Sequence, residues 1–478
     1  MIFWGYTLAL LYGVLCLSLS VFAYKLGMEK RYTRKIVHIL VGFEWVILYH
    51  LVGVGLHFLA VCLIFTALLA ISYRKNLFVM ISSDSENAPG TVYYGISMTV
   101  MAIISLFLDG FIFAFGIAVF CTSVGDGLAG VCGSLFKRRN VKIYKNKTLV
   151  GTASAFLFSL ASTLVFSSIY SLGLTLGQAA LIGSLSAGLE LVSEYGLDNI
   201  TLPLGTAAFS YLMMTSGDIM KYVVPIVLTP LIVALVSSLR LLTDKGILMA
   251  LALDFIVSMA LGNFGFVLLL SFLLLSVVID KVKKKLKKGS DDITKKTGAR
   301  DSVQVVANGI IPSVFALLYL VFGNFVFVIG YVTSLAECFA DTAASGFGML
   351  SRKAFDPFRM KRVESGISGG MSVLGTLSSL CAAFMISAIA IPFGALDLKL
   401  WVVCAVGGFI GALVDSALGS LVQAKYRCSI CMKITEKDSH CGEKTNFVSG
   451  IKQINNDAVN LISCVLGSLV SIIVFLLL

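Results

Sequence analysis

The sequence predicts an all-α, polytopic integral membrane protein of about 14 to 16 transmembrane helices, arranged in two related halves. Three observations carry this. Of 478 residues, 58% are hydrophobic and 13% charged, against about 25% charged in an ordinary soluble domain. The apolar residues come in runs of about 20, the length that crosses a hydrocarbon core of roughly 30 Å. The runs are continuous rather than alternating, which argues against a β-barrel.

The spans follow in order. Run 2–24 ends beside Lys25, Lys30 and Arg31 and has no basic stretch before it, so no cleaved signal is expected. Runs 36–51 and 56–72 lead to Arg74 and Lys75. Runs 91–108 and 111–128 lead to the basic stretch 137–147. Runs 149–170, 174–191, 202–216 and 221–240 lead to Arg240 and Lys245. Runs 246–261 and 263–280 precede Lys281 to Arg300, and runs 302–323 and 325–346 precede Arg352 to Arg362. Runs 369–391 and 399–421 lead to Lys425 and Arg427, and run 457–477 comes last. Several runs are short, which is why the count spans a range. Lys and Arg fall in alternate loops, so the positive-inside rule puts the N-terminus outside and the basic loops in the cytosol. The expected location is the cell (inner) membrane of a prokaryote.

The net charge of +11 comes from 37 Lys+Arg against 26 Asp+Glu. In a water-soluble chain it would suggest nucleic acid; here it belongs to loops beside a membrane, with anionic substrates as a second use. No nucleic-acid partner is expected. Most of the 11 cysteines stand singly inside apolar runs, where a thiol behaves as a small hydrophobe. The stretch 281–300, KVKKKLKKGSDDITKKTGAR, is the most basic and reads as a solvated cytosolic linker loop.

A repeat links the halves. With Asp126 placed on Asp341, Ala129 falls on Ala344, Gly133 on Gly348, Leu135 on Leu350, and Lys137 and Arg138 on Arg352 and Lys353. Without a gap, Lys147 then falls on Arg362 and Gly151 on Gly366. Small residues are common in packed membrane helices, so the Gly and Ala matches alone mean little. The acid and the basic positions have no such explanation.

Asp126 and Asp341 each end an apolar run among Gly, Ala and Ser. An acid at a membrane boundary must be paired, hydrated or metal-bound. Either one alone reads as a helix cap beside a basic loop; the repetition favours a site. A carboxylate for Mg²⁺, glycine backbone at Gly125, Gly127, Gly133, Gly151, Gly348 and Gly366, and cations at Lys137, Arg138, Lys147, Arg352, Lys353 and Arg362 together suit a nucleotide. Each half offers a second acid or amide cluster. These are Glu190, Asp198 and Asn199 in the first half, and Asp415, Asn456 and Asp457 in the second. A third element precedes each acid: Arg34-Lys35-x-x-His38 in the first half, and Arg300-Asp301 with Asn308 in the second. His38 is a candidate general base, with an ordinary interfacial histidine as the alternative. Finally, Cys428-x2-Cys431-x8-His440-Cys441 fits a structural zinc site, with reduced cytosolic thiols as the alternative. Adjacent ligands are geometrically awkward, so three or four of these side chains would coordinate.

These residues carry a resemblance in two parts. RKIVHILVG (34–42), GTVYYG (90–95), VGDGLAGVCG (124–133), NKTLVGT (146–152) and LDNITLPL (197–204) resemble the phytol kinase/dolichol kinase family over about residues 25–215. GARDSVQVVANG (298–309), AECFADTAASGFGMLS (336–351), VESGISGGMSVLGT (363–376), VDSALGSLVQ (414–423) and NNDAVNLIS (455–463) resemble the membrane family that includes phytyl-phosphate kinase, over about 245–478. The resemblance implies a fusion of two successive kinases, in domains 1–244 and 245–478. The first would convert an isoprenoid alcohol to its monophosphate and the second would add another phosphate, with CTP as the donor. It implies metal-binding roles for Asp126, Asp341 and Asp415, and catalytic roles for these with His38, Asp198 and Asp301. Ala340-Asp341 stands where the first half has Gly125-Asp126, so the phosphate cradles differ. An alcohol needs a general base, whereas a monophosphate mainly needs cations, and the second half is richer in them. The competing readings are a CDP-lipid synthase-like cytidylyltransferase and a transporter built from repeats.

Overall fold

In hydrocarbon every backbone N–H and C=O must find a partner within the protein, so the apolar runs close into helices. The computed structural model describes residues 2–75, 89–136, 141–144, 147–193, 196–216, 218–286, 299–351, 354–363, 368–432, 434–436 and 439–478. It divides into two compact units, Met1–Ala234 and Leu235–Leu478.

The first unit opens with α1 (Ile2–Lys25), α2 (Lys30–Val41) and α3 (Glu44–Ile47), the last running into a π-helical turn, Leu48–Val52. Then come α4 (Leu56–Lys75), α5 (Gly90–Ile104) and α6 (Phe111–Phe120). A π-helical stretch, Cys121–Asp126, joins α6 to α7 (Gly127–Leu135). π-Helical turns are rare and often mark functional positions. A small antiparallel hairpin follows, β1 (Lys142–Tyr144) and β2 (Lys147–Thr148). The unit continues with α8 (Leu149–Ile169), α9 (Leu176–Val192), α10 (Asp198–Ser216) and α11 (Met220–Ser238). Its centre is the run from α6 through the π-helical stretch, which packs on α2, α8, α9 and α10.

The second unit holds α12 (Asp244–Leu286), α13 (Ser302–Phe322) and α14 (Val326–Gly348). Within α12, Gly262 has φ +60° and ψ −141°, so the helix is two arms meeting at a break. A hairpin follows α14: β3 (Ala354–Asp356) and β4 (Lys361–Val363), with Phe355 opposite Arg362. Next are α15 (Val373–Ala388) and α16 (Leu398–Leu421). A small β ribbon is inserted before the last helix: β5 (Lys425–Arg427), β6 (Ile434–Thr435), β7 (Ser439–His440), β8 (Glu443–Lys444) and β9 (Asn446–Ser449). Strands β6, β5 and β9 form one sheet and β7 pairs with β8. The chain continues into α17 (Asn456–Leu477). Helix α14 is central, packing on α12, α13, α15, α16 and α17, and Tyr331, Ile329, Leu335 and Phe339 on it are fully buried.

Among the described residues, eleven helices are long and apolar enough to cross a membrane, and three shorter apolar helices accompany them. The sequence-based number is higher because it takes these short helices, α10 and both arms of α12 as separate spans. The class is as expected: an all-α polytopic membrane protein.

Candidate functional site

In the first unit, Asp126 ends the π-helical stretch and is 8% exposed. Lys35, on α2, donates to its Oδ2 at 2.8 Å and to its backbone carbonyl at 3.2 Å. His38, one turn further along α2, places Nε2 3.2 Å from the same Oδ2 and 3.0 Å from the Thr122 carbonyl. The Arg-Lys-x-x-His motif therefore does reach the repeated acid, through Lys35 as well as His38. A second ion pair stands nearby. Lys147 Nζ lies 2.5 Å from Glu190 Oε1 on α9. Burial works against the Lys147 charge, but Glu190 and Asp126 outweigh it and hold the ammonium above the ordinary lysine range. Asp198 Oδ1 accepts from the backbone and side-chain N–H groups of buried Asn199, and Ser97 donates to the Asn199 carbonyl at 2.7 Å. A Cβ on Gly125 would lie 2.3 Å from Ser159 Oγ, and one on Gly127 2.5 Å from Ile39 Cγ1. These two glycines let neighbouring helices approach. Glu44 is buried in α3 and lines a small apolar pocket with Trp45, Tyr94 and Phe115.

The second unit contains a cavity of about 330 Å³. Asp341, Asp415, Glu436 and Asp457 line it, with Gln304, Asn455 and Asn456. One wall is the small-residue stretch Ser368 to Ser372 together with Gly348 and Gly375. Glu337, one turn before Asp341, is 1% exposed. Ser463 on α17 donates to Glu337 Oε1 at 2.7 Å and lies 3.3 Å from Asp415 Oδ2. With its amide oriented to satisfy both neighbours, Asn460 donates to Asp415 Oδ2 at 3.1 Å and to the Asn456 carbonyl at 2.9 Å. Among the described residues, no Lys or Arg pairs with Asp341, Glu337 or Asp415. Among the described residues the two halves thus differ in electrostatics: Asp126 is neutralised by a lysine, whereas the second site gathers carboxylates. Hard oxygen donors of this kind fit Mg²⁺.

The repeat is also architectural. Each acid-bearing helix leads through an antiparallel hairpin into a helix opened by a hydroxyl cap. Thr148 accepts from Gly151 N–H, and Ser372 from Gly375 N–H. In both halves that second glycine abuts the glycine seven residues after the acid. A Cβ on Gly133 would lie 3.4 Å from Gly151 Cα, and one on Gly348 3.5 Å from Gly375 Cα. The geometric counterpart of Gly151 is therefore Gly375. The gapless match to Gly366 gives way because Thr148 ends β2 and is itself the cap, whereas a further stretch of chain separates β4 from the Ser372 cap. Lys147 precedes its cap directly, so its counterpart is Met371, and Arg362 is exposed on β4. Met371 exchanges backbone hydrogen bonds with Phe355 at 2.8 Å. Lys137, Arg138, Arg352, Lys353 and Gly366 lie outside the described residues.

Other residues take structural positions. Asp301 caps α13, accepting from Gln304 N–H at 3.0 Å in a reciprocal capping box. Arg300 pairs with Asp280 at 2.8 Å and bridges to the Leu241–Thr243 backbone. Asn308 donates to the Gln304 carbonyl at 3.0 Å. Two participants were not singled out from the sequence: Lys35 as a partner of Asp126, and Glu337. Glu337 carries a usable signal, since an acid four residues before Asp341 shares its helix face. In the ribbon, the Cys428, Cys431, His440 and Cys441 ligand atoms lie within 4.8 Å of one another.

Residues 227–468 match the integral membrane protein DUF92 family. The chain belongs to this family. Among curated proteins, it is 29% identical over 268 residues to an uncharacterised membrane protein of Methanocaldococcus jannaschii, covering 55% of this chain and 97% of that protein. It is 33% identical over 190 residues to a protein named phytol kinase from Synechocystis, covering 37% of this chain and 78% of the relative. It is 28% identical over 238 residues to Protein VTE6, chloroplastic, of Arabidopsis thaliana, covering 48% and 65% respectively. No solved structure matches the chain. This DUF92 member therefore has a relative named phytol kinase.

Proposed function

We propose that the protein is a bifunctional isoprenoid salvage kinase. The first unit phosphorylates a membrane isoprenoid alcohol of the phytol or geranylgeraniol type. The second unit adds a further phosphoryl group to the monophosphate. The donor is a nucleoside triphosphate, taken as CTP from the family resemblance, with Mg²⁺ and with the sites facing the cytosol. The observation that carries the reading is the repeated unit of acid-bearing helix, hairpin and hydroxyl-capped helix, built once in each half. The relative named phytol kinase supports the reaction class.

The two electrostatic designs suit the two acceptors. An alcohol must lose a proton as its oxygen attacks the γ-phosphorus. His38 is held through Nε2 by Asp126 and Thr122, so its Nδ1 is the nitrogen left to take that proton. Lys35 neutralises Asp126 at rest, so a metal ion on Asp126 requires Lys35 to move. In the second unit, Asp341 and Asp415 would hold Mg²⁺, which screens the two approaching anions. Ser463 and Asn460 orient the second of these carboxylates.

The test is the purified full chain with labelled CTP. Asp126→Asn should abolish monophosphate formation from the alcohol, while supplied isoprenyl monophosphate still becomes diphosphate. Asp341→Asn should do the reverse. Loss of both activities in both variants refutes the division of labour, and release of pyrophosphate in place of CDP makes the protein a cytidylyltransferase. One observation favours a transporter: Glu337 is buried inside α14, away from either end. Nucleotide-independent flux into proteoliposomes would establish that reading instead.

A further inference from the structure

The ribbon between α16 and α17 cannot be held by a core of its own. Its strands are two to four residues long. Ile430, Met432, Phe447 and Val448 are all exposed. Stretches this small fold only with a staple, such as disulfides or a metal. All 11 cysteines are free thiols. The four potential ligands nevertheless converge. His440 Nδ1 lies 3.3 Å from Cys431 Sγ and 3.2 Å from Cys441 Sγ, while Cys428 Sγ lies 3.6 Å from the His440 carbonyl. Ligands of a tetrahedral zinc ion at about 2.0–2.3 Å stand roughly 3.5–3.8 Å apart, close to this spacing. The adjacency of His440 and Cys441 is resolved by backbone conformation. Cys441 has φ +53° and Gly442 φ +83°, a left-handed turn that swings the second ligand back beside the first.

We propose that Cys428, Cys431, His440 through Nδ1, and Cys441 bind one Zn²⁺, and that this ion folds the ribbon onto the wall of the second-unit cavity. Three thiols lose their protons to solvent on binding. Three sulfur donors and one imidazole make a closed, structural site with no position left for a substrate. The ribbon's contact with the cavity is specific. Glu436, between the two ligand pairs in sequence, lines the cavity and accepts from Ser368 Oγ. Lys425 donates to the Ser368 carbonyl at 3.0 Å. Ser368 is therefore gripped by the ribbon through both its side chain and its backbone. At the base, Gln423 bridges to Ile451, and Ala424 N–H bonds to the Ile454 carbonyl at 2.9 Å, closing the ribbon into a loop. This inference goes beyond the kinase reading and does not depend on it.

The test uses the full chain in detergent, purified without chelator under reducing conditions. Elemental analysis should find about one zinc per chain, falling to background in the Cys428→Ser/Cys431→Ser variant. Because that variant could misfold, wild-type chain is also stripped with a chelator and treated with a maleimide. Mass spectrometry should show Cys428, Cys431 and Cys441 labelled after stripping and protected when Zn²⁺ is restored. Limited proteolysis should cut within 425–449 only after stripping. Absence of zinc together with unprotected thiols overturns the site, as does a disulfide among these cysteines. A different metal at one per chain overturns the zinc assignment. Proteolysis indifferent to zinc overturns its role in folding the ribbon.

Discussion

Lys35 sets its ammonium 2.8 Å from the carboxylate of Asp126, a residue ninety-one positions away in the chain. The pair joins the two most suggestive motifs of the first half at one point. Lys35→Met leaves Asp126 charged and buried, hydrogen-bonded by His38 and with Lys147 as a more distant cation. The expected result is a drop on the order of 10²-fold in phosphorylation of the alcohol, the scale of losing one preorganised charge at a reacting centre. Conversion of supplied monophosphate should be unchanged. Equal loss of both activities would show that Lys35 matters only for folding.

The Lys147–Glu190 pair should behave as a buried ion pair. Lys147→Met strands the Glu190 carboxylate and should cost roughly 3–5 kcal/mol, while Lys147→Met with Glu190→Gln should recover most of it. The pH dependence has a definite sign. The lysine is raised above its unfolded value, so the lysine's own contribution is present in full below about pH 10 and fades as pH rises through the raised value. Thermal unfolding of wild type and Lys147→Met across this range should show a constant gap that closes only in strong alkali.

The glycine contacts predict an asymmetry between the halves. A Cβ on Gly375 would lie 3.0 Å from the Ala344 carbonyl and 3.1 Å from Gly348 Cα, both backbone atoms. A Cβ on Gly151 would first meet the Thr148 side chain at 3.1 Å, with backbone no closer than 3.7 Å. Gly375→Ala should therefore destabilise by roughly 1–3 kcal/mol, and Gly151→Ala by less. Melting curves of the two variants in the same detergent decide this.

The carboxylates of the second unit should bind a divalent cation directly. Mn²⁺, followed by its paramagnetic signal, should bind wild type, and Asp341→Asn should lose the ion held in the second unit. Ser463→Ala removes the hydroxyl shared by Glu337 and Asp415 and should weaken binding about 10–100-fold, as loss of an orienting partner does. Binding unchanged in both variants would remove the metal role from this site.

Much of this protein was legible in its sequence. Continuous apolar runs and scarce charge determine an all-α membrane protein, because hydrocarbon leaves the backbone little choice. The repeated spacing around Asp126 and Asp341 and the Cys428 to Cys441 pattern are local signals, and the structure places both in matching or converging geometry. Tertiary structure alone decided the partners. That Lys35 meets Asp126, that Lys147 meets Glu190, that Arg300 meets Asp280 instead of the cavity, and that Gly375 replaces Gly366 as the counterpart of Gly151 all depend on how distant segments close on one another. Periodicity along a chain records which face of a helix is apolar; it does not record which other helix that face will meet.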